Sequence, residues 1–214
     1  AVIHQSAGRL NQLITQILEF RKTETDNRQL RVVKANVVDA VHEVSLKYEE
    51  LAQKSDVAIK FVAPENPIMM YIDKEVIAII VDNLVSNAIK YTDKGEVTVA
   101  VAISNGKMTI SVTDTGCGMT PEEQQRVFNA FTRLPDAQGK EGVGLGLSIT
   151  REIVQRLGGS INLASRKGSG SKFTVIIPVE IVENIEGENI TTIKGNENSA
   201  APITHACASD HSED

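Results

Sequence analysis

In the stretch DNLVSNAIKYT, residues 82 to 92, Asn83, Asn87, Lys90 and Tyr91 fall at i, i+4, i+7 and i+8, which places them on one face if the segment is helical. Asn is a costly choice in a helix interior, because its side chain competes for nearby backbone hydrogen bonds. Side-chain carbonyl oxygens suit a hard cation such as Mg2+, which keeps some of its waters and also takes phosphate oxygens. Lys90 could neutralise a phosphate. The same four residues could equally form a solvated helix face. A second stretch, DTGCGM at 114 to 119, puts one acid and two glycines at the end of an apolar alternation. Asp114 there can accept from an exocyclic amine such as N6 of adenine, with Gly116 and Gly118 letting a flat base approach the backbone. A tight turn before a capped helix would use the same residues. Phe128, Phe131 and Arg133 follow: two aromatics able to pin a loop, and a planar cation suited to phosphate. In GVGLGL, Gly142, Gly144 and Gly146 alternate with apolar residues just before a helix, whose first N–H groups would face an anion. That spacing matches neither the dinucleotide fingerprint nor the Walker loop.

These residues need elements to hold them. Asp73 is a plausible N-cap for an apolar-faced helix reaching Tyr91, with Ile77, Val81, Leu84 and Ala88 as its stripe. Strands are expected at Arg31 to Lys34, Val57 to Val62, Ile68 to Ile72, Glu96 to Ile103, Lys107 to Asp114, Ile161 to Ala164 and Lys172 to Pro178. Asn105-Gly106 marks a hairpin between two of them. Asn36 opens a helix to about Lys54, TPEE at 120 to 123 starts a short one, and Leu145 to Leu157 forms another that stops at Gly158-Gly159. Phe131 to Lys140, polar and glycine-containing, reads as a mobile loop. The order β-α-β-β-α-β-β-α-loop-α-β-β implies an α/β fold, a two-layer sandwich of a mixed sheet with helices on one face.

Three regions are expected. Residues 1–24 form an amphipathic helix with Ile3, Ala7, Leu10, Ile14 and Ile17 in heptad positions, built for a bundle or coiled coil. Residues 30–180 form the α/β domain. Residues 181–214, rich in Glu, Asn, Ser and Thr without aromatics, read as a disordered linker or tail. The chain has 214 residues, 41% of them hydrophobic, enough for an aliphatic core without any Trp. A net charge of -6 argues against non-specific nucleic-acid binding. The two cysteines, Cys117 and Cys207, make neither a disulfide framework nor a zinc site, in keeping with a reduced, cytoplasmic setting. The chain opens in mid-helix pattern and looks like a piece of something longer.

Taken in order, these motifs resemble the catalytic, ATP-binding domain of sensor histidine kinases, within the wider GHKL (Bergerat-fold) ATPases. The likeness runs from about Val32 to Val179, with NLVSNAIKY similar to the N box, DTGCGM to the G1 box, VFNAFTR to the F box and GVGLGL to the G2 box. The first helix resembles the second helix of the dimerisation and phosphotransfer hairpin, especially that of hybrid sensors. The resemblance implies that Asn87 coordinates Mg2+ and Asp114 binds adenine, with Gly116 and Gly118 under the base. It places Asn83, Lys90, Tyr91 and Arg133 along the phosphates, and Lys140, Gly142, Gly144, Leu145, Gly146 and Leu147 in the lid and its glycine loop. It also implies ATP as the phosphate donor, a His on the hairpin as acceptor, and a response-regulator receiver domain as the next partner. The parent protein would be a homodimer anchored in the inner or plasma membrane.

Two departures bear on the chemistry. The family's acceptor His, followed by an acid, lies on a first hairpin helix that this sequence lacks; His4 is followed by Gln5, Ser6 and Ala7. ATP-hydrolysing relatives place a Glu base four residues before the metal-binding Asn, where this chain has Asn83, which cannot take a proton from water. A nucleotide-sensing dimerisation module without kinase activity is the non-enzymatic alternative.

Overall fold

The computed structural model describes residues 30–135, 142–182 and 190–193. The expected helix at 1–24 and most of the tail lie outside them. The chain runs β1 (Val33–Asn36), α1 (Val37–Leu46), α2 (Glu49–Lys54), β2 (Val57–Val62), β3 (Met69–Ile72), α3 (Lys74–Lys90), β4 (Gly95–Ser104), β5 (Lys107–Asp114), α4 (Pro121–Arg126), α5 (Gly146–Arg156), β6 (Ser160–Arg166), β7 (Gly170–Val182) and β8 (Ile190–Ile193).

Five strands in the order β2-β4-β5-β7-β6 make the main sheet, mixed because β2 and β4 are parallel while the other neighbours are antiparallel. Strand β7 continues past that sheet. Its last residues, Val179 to Val182, pair with β8, which leads on to β3 and β1. Helix α3 packs between α1 and α5 over the sheet. Ile77, Ile80, Val81 and Leu84 of α3 are fully buried, as are Val97 and Val99 of β4, Ile110 and Val112 of β5, and Val175 and Ile177 of β7. This is the two-layer sandwich expected from the element order.

Local signals explain most boundaries. Asn36 caps α1 by accepting from the Val38 amide, and its oxygen also takes the amide of Ile68. Asp73 caps α3 through the amides of Glu75 and Val76. Thr120 and Glu123 form a reciprocal capping box with Pro121 behind it. Asn105 and Gly106 both take positive φ, 51° and 66°, as a two-residue hairpin turn demands.

Two expectations differ. The helix expected from Asn36 to about Lys54 is two helices, broken at Lys47-Tyr48. The break lets Ala52 (1% exposed) enter the core in place of Leu51, which is 50% exposed, and turns the Tyr48 hydroxyl to donate to Asp82 Oδ1 at 2.7 Å. Burial, with that carboxylate beside it, raises the Tyr48 pKa. The segment expected to be unstructured after Glu180 is strand through Val182, and Ile190–Ile193 forms β8. The β-branched run Ile-Thr-Thr-Ile favours extended pairing once a strand end is offered to it.

Candidate nucleotide site

At one end of the sandwich an open cavity of about 1000 Å3, its mouth included, lies between α3, the end of β5, the start of α5 and β7. Asn83, Asn87, Lys90 and Tyr91 of the α3 end line one wall, so the spacing read from the sequence does bring them to one place. Their environments differ. Asn83 donates from Nδ2 to Thr150 Oγ1 at 3.2 Å, tying α3 to α5. The Asn87 side chain makes no hydrogen bond among the described residues, and its amide oxygen is available to a ligand. Lys90 reaches across the Tyr91 ring, with Nζ 5.1 Å from the centroid, toward the backbone at Gly142.

Asp114 closes the far end of the cavity and is only 6% exposed. Its Oδ1 accepts from the amides of Gly116 at 2.9 Å and Ser171 at 3.2 Å. Its Oδ2 accepts no hydrogen bond among the described residues. A buried carboxylate with one unsatisfied oxygen is costly unless a ligand donor completes it. Burial raises the Asp114 pKa, and the two amides partly counter that shift. The sign of the resulting pH dependence follows. Ionisation costs the folded state, so without ligand the penalty is absent below the ordinary Asp value and builds as pH rises through the raised one. A ligand amine needs the ionised acceptor, so nucleotide affinity should weaken on acidification, beginning above the usual aspartate range. Calorimetric titrations across pH check this, and Asp114→Asn should lack that acid limb.

The glycines divide by what fills the space of a side chain. Gly118 lines the cavity, with φ +59° and a hypothetical Cβ 1.9 Å from the Arg166 carbonyl oxygen. Gly116 lies outside the lining, where its Cβ would meet the Tyr91 carbonyl at 2.2 Å. Both therefore allow backbone to touch backbone behind the cavity, a use the sequence reading did not foresee. Gly142, Gly144, Leu145, Gly146 and Leu147 all line it. Gly144 takes φ +81° against the Thr132 carbonyl, and Gly146 lies against the Asn83 amide. Arg133 is exposed at the same rim. Phe128 anchors the loop's start edge-on to Phe173 with centroids 6.2 Å apart, whereas Phe131 is 62% exposed. Residues 136–141, Lys140 among them, lie outside the described residues.

Ser86, Met119, Thr132, Ser171 and Phe173 also line the cavity, and none of them was singled out in the sequence. Ser171 and Phe173 arrive through the pairing of β7 with β5, which sets Ser171 opposite Asp114. Strand pairing over 57 residues of chain leaves no local signal.

The chain belongs to the family of histidine kinase-, DNA gyrase B- and HSP90-like ATPases, which matches residues 72–181. Within it, the relatives are sensor histidine kinases. The adaptive-response sensory kinase SasA of Crocosphaera subtropica is 36% identical over 172 residues, covering 79% of this chain and 45% of that protein. The histidine protein kinase DivJ of Caulobacter vibrioides is 35% identical over 183 residues, 83% of this chain and 30% of that one. The chain thus spans less than half the length of these curated relatives. Among solved structures, the catalytic domain of the histidine kinase ThkA superposes with a TM-score of 0.62 at 27% identity, over 70% of this chain and 96% of that one. Full-length ShkA in complex with AMPPNP has the same fold over 82% of this chain and 37% of that one, with a TM-score of 0.72 at 24% identity.

Proposed function

We propose that this chain is the catalytic, ATP-binding part of a sensor histidine kinase. It binds ATP with Mg2+ and presents the γ-phosphoryl group to a His on a phosphotransfer hairpin of the same protein, which passes it to an Asp of a response-regulator receiver. The observation that carries this reading is Asp114, buried at the cavity's end with one carboxylate oxygen unmet among the described residues. That geometry suits an exocyclic amine, and the opposite wall offers an amide, a lysine and the glycine loop to a triphosphate. Asn87 fits Mg2+ as a lone amide oxygen facing the cavity. Among the described residues no cluster of three or more His, Cys, Asp or Glu could hold a metal by itself, which suits an ion completed by phosphate and water. Bound there, Mg2+ would offset phosphate charge. Lys90 and Arg133 would add to that from the chain's own side, and the loop around Gly144 would close over the phosphates.

Hydrolysis is disfavoured by the same wall. Asn83 occupies the position of an activating acid and is engaged with Thr150, while Asp82 accepts from Tyr48. In the parent protein, a homodimer anchored in the inner or plasma membrane would hold this domain on the cytoplasmic side. Among the described residues no helix is long and apolar enough to cross a membrane.

Phosphoryl transfer depends on positioning and electrostatics, so binding can proceed without an acceptor. Given γ-labelled ATP and Mg2+, the chain should bind nucleotide and take up no acid-labile phosphate, whereas a separately made hairpin of the parent protein should become labelled. Label on the chain itself that disappears with His4→Ala would overturn the assignment of the acceptor. In parallel, Asn87→Ala should weaken ATP binding about tenfold or more with Mg2+ present and little in EDTA, since the lost oxygen would hold the nucleotide only through the ion. Equal losses in both buffers would remove Asn87 from the metal site.

A further inference from the structure

Behind Asp114 the β6–β7 hairpin is clasped against the Asp114–Met119 turn. Gly168 N–H donates to the Cys117 carbonyl at 2.7 Å, Gln124 Nε2 donates to the Ser165 carbonyl at 3.0 Å, and Lys167 pairs with Glu123. At the centre of the clasp is the Ser165 hydroxyl. Register sets Ser165 opposite Ser171 on β7, and Ser171 opposite Asp114 on β5, one row across three strands.

The protons in this row can be assigned from valence. Ser165 Oγ lies 2.9 Å from the Gly170 carbonyl, 2.8 Å from the Met119 amide nitrogen and 2.9 Å from Ser171 Oγ. A carbonyl cannot donate, so the Gly170 contact is a hydrogen bond only with the single Ser165 proton on it, and that proton is placed there. The Met119 N–H can only donate, and it takes one lone pair of Ser165. The remaining contact then requires Ser171 to donate its own hydroxyl proton to Ser165. With that proton spent, Ser171 has only lone pairs to offer the cavity it lines, in register with Asp114.

We infer that Ser165 is a specificity-positioning residue: by fixing the Ser171 hydroxyl as an acceptor, it makes the cavity's end acceptor-only and so selects a purine bearing an amine at C6 over one bearing an oxo group. The inference rests on the nucleotide reading above. An exocyclic amine brings two N–H donors to two acceptors. A 6-oxo base brings a lone pair toward lone pairs, and Ser171 cannot rotate to rescue it while Ser165 holds its proton. Removing Ser165 releases that proton, and Ser171 can then donate to the oxo group.

The test compares ATP with ITP, its 6-oxo analogue, by calorimetry on the parent chain, Ser165→Ala and Ser165→Thr. The ATP:ITP affinity ratio should fall about tenfold in Ser165→Ala, the scale of one hydrogen bond changed from repulsive to satisfied. Much of the fall should come from ITP binding more tightly. Ser165→Thr keeps the hydroxyl and should keep the ratio. A purely structural role for Ser165 would weaken both nucleotides alike, and an unchanged ratio in Ser165→Ala overturns the inference while leaving ATP binding intact. Should Ser165→Ala fail to fold, Ser171→Ala removes the oriented acceptor itself and must lower the ratio; if it does not, the inference is wrong. A parent chain that binds neither nucleotide would overturn the nucleotide reading and this inference with it.

Discussion

Replacing Asp114 with Ala should cost the chain about a hundredfold in ATP affinity while leaving it folded. Among the described residues the carboxylate is the single acidic group that lines the cavity, and a charge-assisted hydrogen bond to a desolvated ligand contributes about 1.5–3 kcal/mol, near a hundredfold at its upper range. The variant also takes the acceptor from the Gly116 and Ser171 amides, a loss of stability that removal of a buried charge offsets in part. Selectivity should collapse with affinity, because a site built around a hydrogen bond rejects analogues that lack the donor, and the Ala variant has no such bond to lose. GTP should compete poorly against ATP in the parent chain and much better in Asp114→Ala, where the Ser171 acceptor alone still disfavours a 6-oxo base. Calorimetric titration of both nucleotides, with thermal unfolding as the control, measures each part. Parent-like ATP affinity in Asp114→Ala would take the adenine away from this end of the cavity.

Gly118→Ala should be among the most destabilising single-methyl additions in the molecule, and should act on stability first. Its φ of +59° already penalises any side chain. A left-handed conformation costs an L-residue about 1–2 kcal/mol before contacts are considered. The added Cβ would then sit 1.9 Å from the Arg166 carbonyl oxygen, which belongs to backbone and cannot swing aside. Relief requires the β6–β7 hairpin to lift from the Asp114 turn, breaking the Cys117–Gly168 hydrogen bond nearby. A loss of about 3 kcal/mol, or on the order of 10 °C in Tm for a domain of this size, is expected by thermal unfolding. A parent-like Tm would mean that the clasp is looser than its contacts indicate.

Both residues were visible in the sequence, for reasons that hold only in part. Asp114 was legible because an acid ending an apolar alternation before Gly-x-Gly is an unusual choice for a strand edge. The Asn83 to Tyr91 face was legible from helical spacing alone, as were the caps at Asn36, Asp73 and Thr120, since each of these is a local rule. Gly118 lines the cavity and has a second reason to be glycine, the approach of the Arg166 backbone 48 residues away in the chain, which no local pattern encodes. Ser165 and Ser171 were invisible for the same reason, because their chemistry arises from register between strands. The break at Tyr48 went unread because Tyr48 and Leu51 fit a continuous apolar stripe. What decided against it was a phenol–carboxylate hydrogen bond to another helix. The short strand β8 went unread because its surroundings are polar, although its own four residues are strong strand formers.

Asp73 serves two segments with one carboxylate. Its Oδ1 caps α3, while its Oδ2 accepts the Arg31 amide at 2.9 Å, just where the chain enters the described fold. The entry segment and the first turn of α3 therefore share one anchor, and the far end of that same helix carries Asn83, Asn87 and Lys90. Slow amide exchange at Arg31 thus reports on the same carboxylate that holds the amides of Glu75 and Val76. Tension on the entering chain would be felt first as a loosening of a helix start one helix-length from the cavity wall.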